Sequence, residues 1–70
     1  MRDVGIMKLP IELNKLLKFE NLVSSGGEAN QAIVGGLVRV NGKMETQKRK
    51  KIVAGDIVEF GSEKILIRLA

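Results

Sequence analysis

The sequence predicts an α+β domain, two short helices packed on a small, mostly antiparallel twisted sheet. Three observations predict it. Apolar residues recur at helical spacing between Leu13 and Ile33, alternate with period two from Leu37 onward, and are broken by turn signals into short runs in that second half. Helices followed by a run of strands, rather than strands alternating with helices, belong to the α+β class.

The elements follow in order. Val4, Ile6 and Leu9 suit a short edge strand, and Pro10 suits the opening of a helix, where its missing N–H has no intrahelical partner to lose. Leu13, Leu16 and Leu17, with Lys15 and Lys18 beside them, place an amphipathic helix over about residues 11 to 20. Leu22 and Val23 then fold the following turn onto the core. Ser25-Gly26-Gly27-Glu28 fits a capping box, with the serine hydroxyl and the glutamate carboxylate each satisfying the other's end of the first turn. Ala29, Ala32 and Ile33 form the apolar stripe of this second helix, and Gly35-Gly36 supplies its left-handed exit. At about nine residues it is too short to stand without neighbours.

Val38 and Val40 flank Arg39 in a strand, and Asn41-Gly42 is a hairpin turn because both residues tolerate positive φ. Lys43 to Thr46 would form the return strand. Ala54-Gly55-Asp56 reads as a turn between Ile52-Val53 and the strand of Ile57, Val58 and Phe60. Gly61-Ser62 turns again into a last strand, where Ile65, Ile67 and Leu69 alternate with Lys64, Leu66 and Arg68.

Composition sets the limits. Seventy residues, 44% of them hydrophobic, make one domain over 1–70, near the lower size at which a chain buries its own core. With no cysteine there is neither a disulfide nor a thiolate metal site to staple it, so aliphatic packing must suffice. Phe19 and Phe60, the two aromatic residues, read as core. Charges at Arg2 and Asp3 and the proline at Pro10 leave no apolar signal stretch, and no run approaches membrane-spanning length, so a cytoplasmic protein is expected.

Charge is concentrated. The segment Asn41 to Lys51 carries five basic side chains and one acidic one, which equals the whole net charge of +4, while the remainder balances to zero. A basic patch of this kind is the electrostatic footprint of a polyanion binder. Its strongest part is Lys48-Arg49-Lys50-Lys51; the plain alternative is a solvated loop that aids solubility. Arg39 and Lys43 strengthen the binding reading if they share its face.

Catalysis has little to draw on. There is no His or Cys, and the eight carboxylates are scattered without a positioned pair, so neither an enzyme, a metal site nor a cofactor is expected. Gly26-Gly27 would let a phosphate approach the N–H groups at a helix start, although simple turn geometry is the favoured reading of the pair. Without Tyr or Trp, stacking platforms for single-stranded bases are not expected. Recognition would rest on phosphates and on the shape of folded RNA. The second helix offers Asn30 and Gln31 for hydrogen bonds.

The run from Leu13 to Val58 resembles the αL RNA-binding motif, the domain named after ribosomal small-subunit protein S-four. The resemblance rests on an ordered set: Ser25, Glu28, Ala29, Gln31, Ile33 and Gly36, then Val38-Arg39-Val40-Asn41-Gly42, then Gly55-Asp56. The motif core lies at about residues 11–60, and small stand-alone bacterial members are the most similar, sharing Gly26 to Ala29 and the basic run from Glu45 to Lys51. The resemblance implies binding to structured RNA, rRNA or tRNA being the usual targets, and a monomeric module is expected. It implies a face made by the helix pair and the adjoining strand: Lys15, Lys18, Ser25, Gly26, Gly27, Arg39, Asn41, Gly42 and Lys43. Many members carry Arg where this chain has Gly26, Asn30 and Val34. The run Lys48, Arg49, Lys50 and Lys51 would compensate, moving the main contacts from the second helix to the hairpin. The competing reading is an interaction module that docks on an acidic protein partner, using the same charges and the unassigned apolar side chains of Met1, Ile6, Met7 and Leu9.

Overall fold

The computed structural model describes all 70 residues, Met1–Ala70. Its elements are β1 (Arg2–Ile6), β2 (Ile11–Glu12), α1 (Leu13–Phe19), α2 (Gly26–Val34), β3 (Val38–Val40), β4 (Lys43–Met44), β5 (Lys51–Ile52), β6 (Ile57–Phe60) and β7 (Glu63–Leu69). Five strands form one sheet in the order β1-β7-β6-β3-β4, in which β1 runs parallel to β7 and every other pair is antiparallel. Strands β2 and β5 make a separate antiparallel ribbon, Ile11 opposite Ile52 and Glu12 opposite Lys51. The α+β class and the two-helix, largely antiparallel design are those the periodicity predicts.

One face of the main sheet carries the core. Val4 and Ile6 of β1, Val38 and Val40 of β3, Val58 of β6, and Ile65 and Ile67 of β7 are buried in a single cluster. Leu13, Leu16 and Leu17 of α1, with Ala29, Ala32 and Ile33 of α2, close it from the other side, joined by Val23 and Ile52. No polar or charged residue is buried, so no desolvated charge opposes folding. Alternation along each strand sends the intervening side chains to the opposite, solvated face of the sheet. There Arg39 opposes Glu59, Glu59 opposes Lys64, and Arg68 Nε donates to Asp3 Oδ2 at 2.7 Å. That face is a mixed-charge lattice.

Local signals held where they were short-range. Ser25 Oγ accepts from the Glu28 N–H at 3.1 Å and starts α2, Gly36 takes φ +78° at its exit, and Asn41 and Gly42 take φ +54° and +84° in the hairpin turn. The capping box is only half closed, because the Glu28 carboxylate accepts from the Ser24 hydroxyl at 2.8 Å instead.

Other expectations need correction. Pro10 does not open the helix: Ile11 and Glu12 are held extended by pairing with Ile52 and Lys51, and α1 begins only at Leu13. The return strand stops at Met44 instead of Thr46, where the chain leaves β3 to cross toward α1. Phe19 is not core but 67% exposed, since α1 already fills its inner face with three leucines. Phe60 packs against the core edge. Ile6 is buried and Leu9 half-buried against the core, which leaves Met1 and Met7 as the exposed members of the apolar group near the start of the chain. No helix is long and apolar enough to cross a membrane.

Candidate nucleic-acid interface

The basic run owes its position to backbone chemistry. Helix α1 has no side-chain cap, because Glu12 at its N-cap supplies none. Its first N–H groups are satisfied from a distance: Leu13 donates to the Lys50 carbonyl at 2.9 Å and Asn14 to the Lys48 carbonyl at 3.0 Å. These bonds meet the demand for partners at a helix start. They also stitch the loop Gln47–Lys50, itself closed by Lys50 N–H to the Gln47 carbonyl at 3.2 Å, onto the helix pair. The basic run is therefore not part of the hairpin, as the sequence suggested, but lies across the start of α1.

The side chains of Lys48, Arg49, Lys50 and Lys51 are left exposed, and none forms an ion pair. Lys48 borders a shallow groove of about 380 Å³ whose other walls are Asn30, Gln31, Val34 and Gly35 of α2 and its exit. Thus the loop and the second helix form one surface. Lys15 and Lys18 are exposed on α1; Lys15 Nζ lies 3.3 Å from Glu12 Oε1, whereas Lys18 has no acidic partner. Glu12 also stands opposite Lys51 in the β2–β5 ribbon, which makes it the carboxylate embedded in the basic cluster.

Helices α1 and α2 are tied at this surface. Asn14 Nδ2 donates to Asn30 Oδ1 at 3.1 Å, and Asn14 Oδ1 accepts from the Lys15 N–H at 2.8 Å. At the start of α2, Gly26 and Gly27 leave open space where side chains would stand, so a ligand would meet backbone there.

Three predicted site residues stand apart from the groove. Arg39 projects to the sheet face opposite the helices, where its Nη1 reaches the Gly42 carbonyl at 3.4 Å, and it does not join the groove. Lys43, opposite Val40 in register, is exposed at the hairpin. Asn41 is structurally occupied: its Nδ2 donates to Asp56 Oδ1 at 3.0 Å, and its Oδ1 accepts from the Ile57 N–H at 2.9 Å. Asp56 Oδ2 in turn accepts from the Val53 N–H at 2.9 Å. The Asn-Gly and Gly-Asp pairs of the motif are thus two halves of one latch between turns. Sequence reasoning missed the contribution of Val34, 59% exposed beside the groove; its place one turn beyond Gln31 on the polar side of α2 was the available signal.

Two helices on a largely antiparallel sheet, an Asn-Gly turn latched to a Gly-Asp turn and a basic loop docked on the helix pair define a domain class that sequence comparison identifies directly. The S4 domain model matches residues 4–68, and the chain belongs to that family. Among individual relatives it is similar to YbcJ of Escherichia coli (strain K12), named as a candidate RNA-binding protein, and to YbcJ of Shigella flexneri. Each is 46% identical over 57 residues, covering 81% of this chain and 81% of the relative. The solution structure of Escherichia coli YbcJ, described as revealing an αL motif involved in RNA-binding, matches with a TM-score of 0.68. That match has 40% identity and covers 96% of this chain and 84% of the other.

Proposed function

We propose that this chain is a non-catalytic, monomeric cytoplasmic RNA-binding domain that recognises structured RNA, of the rRNA or tRNA kind, through the surface shared by α1, α2 and the loop Gln47–Lys50. The observation that carries the reading is the docking of that loop. Two backbone hydrogen bonds to the start of α1 hold in place a run of four exposed, unpaired cations, of which Lys48 borders the groove walls of α2. Fixed backbone beneath exposed, unpaired cationic side chains suits a surface that neutralises several phosphates and releases their counterions. Lys18 and Lys15 extend the positive field along α1, and the open backbone at Gly26-Gly27 adds N–H donors at the helix end favourable to anions. Lys43 flanks the surface, and Asn41-Gly42 acts first through turn geometry. Family membership and the RNA-binding descriptions of YbcJ support the same reading.

Fluorescence anisotropy tests it. The protein, freed of bound nucleic acid, is titrated with an RNA stem-loop, a single-stranded RNA of the same composition and a DNA duplex, at low and near-physiological salt. Preference for the stem-loop with a steep fall in affinity as salt rises is expected. Equal, weak binding to all three would reject structured-RNA recognition and leave a generic polyanion patch.

A further inference from the structure

Phosphate neutralisation leaves part of the groove beside Lys48 unexplained. It has a single cation, two amides from Asn30 and Gln31, the exposed methyls of Val34 and the bare backbone of Gly35. A phosphate is held best by several converging cations or N–H donors, which this wall does not provide. Amides beside an apolar surface match instead the edge and the flat face of a nucleobase. A volume of about 380 Å³ lies toward the small end of clefts that hold small ligands.

The amide of Asn30 is oriented. Its Oδ1 is taken by Asn14 Nδ2, and Asn14 is set in turn by the Lys15 N–H on its own Oδ1. Asn30 Nδ2 has no partner, so the group left for a ligand is a donor. Gln31 is exposed and its amide is unengaged, offering a donor and an acceptor. The relay from α1 to α2 therefore fixes one hydrogen-bonding group and leaves its neighbour adaptable.

We infer that this groove takes one unpaired nucleobase of the bound RNA, an assignment that rests on the RNA-binding reading above. The base edge meets Asn30 Nδ2 and the Gln31 amide, its face lies against Val34 and Gly35, and Lys48 meets the adjoining phosphate. Selectivity for folded RNA then comes from an extruded nucleotide beside a helix, and it needs no aromatic platform.

The test uses one RNA hairpin in five forms, fully paired or carrying a single bulged A, C, G or U in the stem, titrated by anisotropy at fixed salt. At least one bulged form should bind roughly tenfold tighter than the paired form, the scale of one side-chain–base contact. Gln31→Met keeps the length and helix propensity of the side chain but removes its hydrogen bonds. It should bring that affinity ratio to near one, with an unchanged melting temperature as the folding control. Binding of all five hairpins with equal affinity and a steep salt slope would overturn the base site and leave the RNA-binding reading standing. A bulge preference that survives Gln31→Met would overturn the placement of the base in this groove. Failure to bind any of the five would sink both readings together.

Discussion

The Asn41-Gly42 turn and the Lys48–Lys51 run carry the same kind of sequence signal, polar residues at a loop, and the structure spends them in opposite ways. At Asn41 the side chain is consumed, donating to Asp56 and accepting from the Ile57 N–H. In the basic run the backbone is consumed, with the carbonyls of Lys48 and Lys50 capping α1, and the side chains remain free. A loop whose side chains are engaged is a joint in the fold. A loop whose backbone is engaged can present its side chains to a ligand at little cost in order, because the main chain is already fixed.

Replacing the four residues Lys48, Arg49, Lys50 and Lys51 together by Ala tests the free side chains, and the effect should be the largest. Stem-loop affinity is expected to fall about a hundredfold at moderate salt, and the log–log salt slope to flatten by roughly four units, about one for each lost phosphate contact. The capping carbonyls belong to the backbone and survive the change, so stability should stay within about 0.5 kcal/mol of the parent. A large drop in melting temperature would show that these side chains hold the fold and would break the contrast.

Asn41→Ala tests the engaged side chain. It deletes two hydrogen bonds, leaves the Ile57 N–H without its acceptor and puts a Cβ-bearing residue without local polar support at φ +54°. A cost of about 2 kcal/mol is expected, read as a fall in melting temperature of roughly 8–16 °C. Asn41→Gly restores the backbone conformation but not the bonds, and should recover part of that loss. The salt slope of the refolded variant should match the parent; a flattened slope would make Asn41 a contact instead of a joint.

The smallest effect separates two lysines on one helix. Lys15 lies beside Glu12, whereas Lys18 has no acidic partner. Lys18→Ala should flatten the salt slope by about one unit, and Lys15→Ala by less, because Glu12 already balances part of its charge. Equal effects would mean that the Glu12 pairing gives way when RNA binds.

How far the site was legible follows from the same contrast. Lys48 to Lys51 stood out as a run, and Ser25, Gly36 and Asn41-Gly42 announced their roles through turn and cap chemistry that acts over a few residues. The side of the sheet that Arg39 faces was also implicit in its alternation with Val38 and Val40, but its separation from the helix groove depended on which face the helices cover. Phe19 read as core because aromatic residues usually are, and only the packing of α1 shows that Leu13, Leu16 and Leu17 leave it no inner position.

By itself, then, the sequence determined the helix pair, the hairpin, the concentration of charge on one segment and, through the ordered motif from Ser25 to Asp56, the family. The tertiary structure decided where that charge sits. The bonds from Leu13 to Lys50 and from Asn14 to Lys48 join backbone groups far apart in the chain, and a backbone hydrogen bond leaves no trace in residue identity. The same is true of the parallel pairing of β1 with β7 and of the β2–β5 ribbon that postpones α1 to Leu13. Side-chain chemistry can be read locally, whereas the partners of a main-chain donor are chosen by the fold.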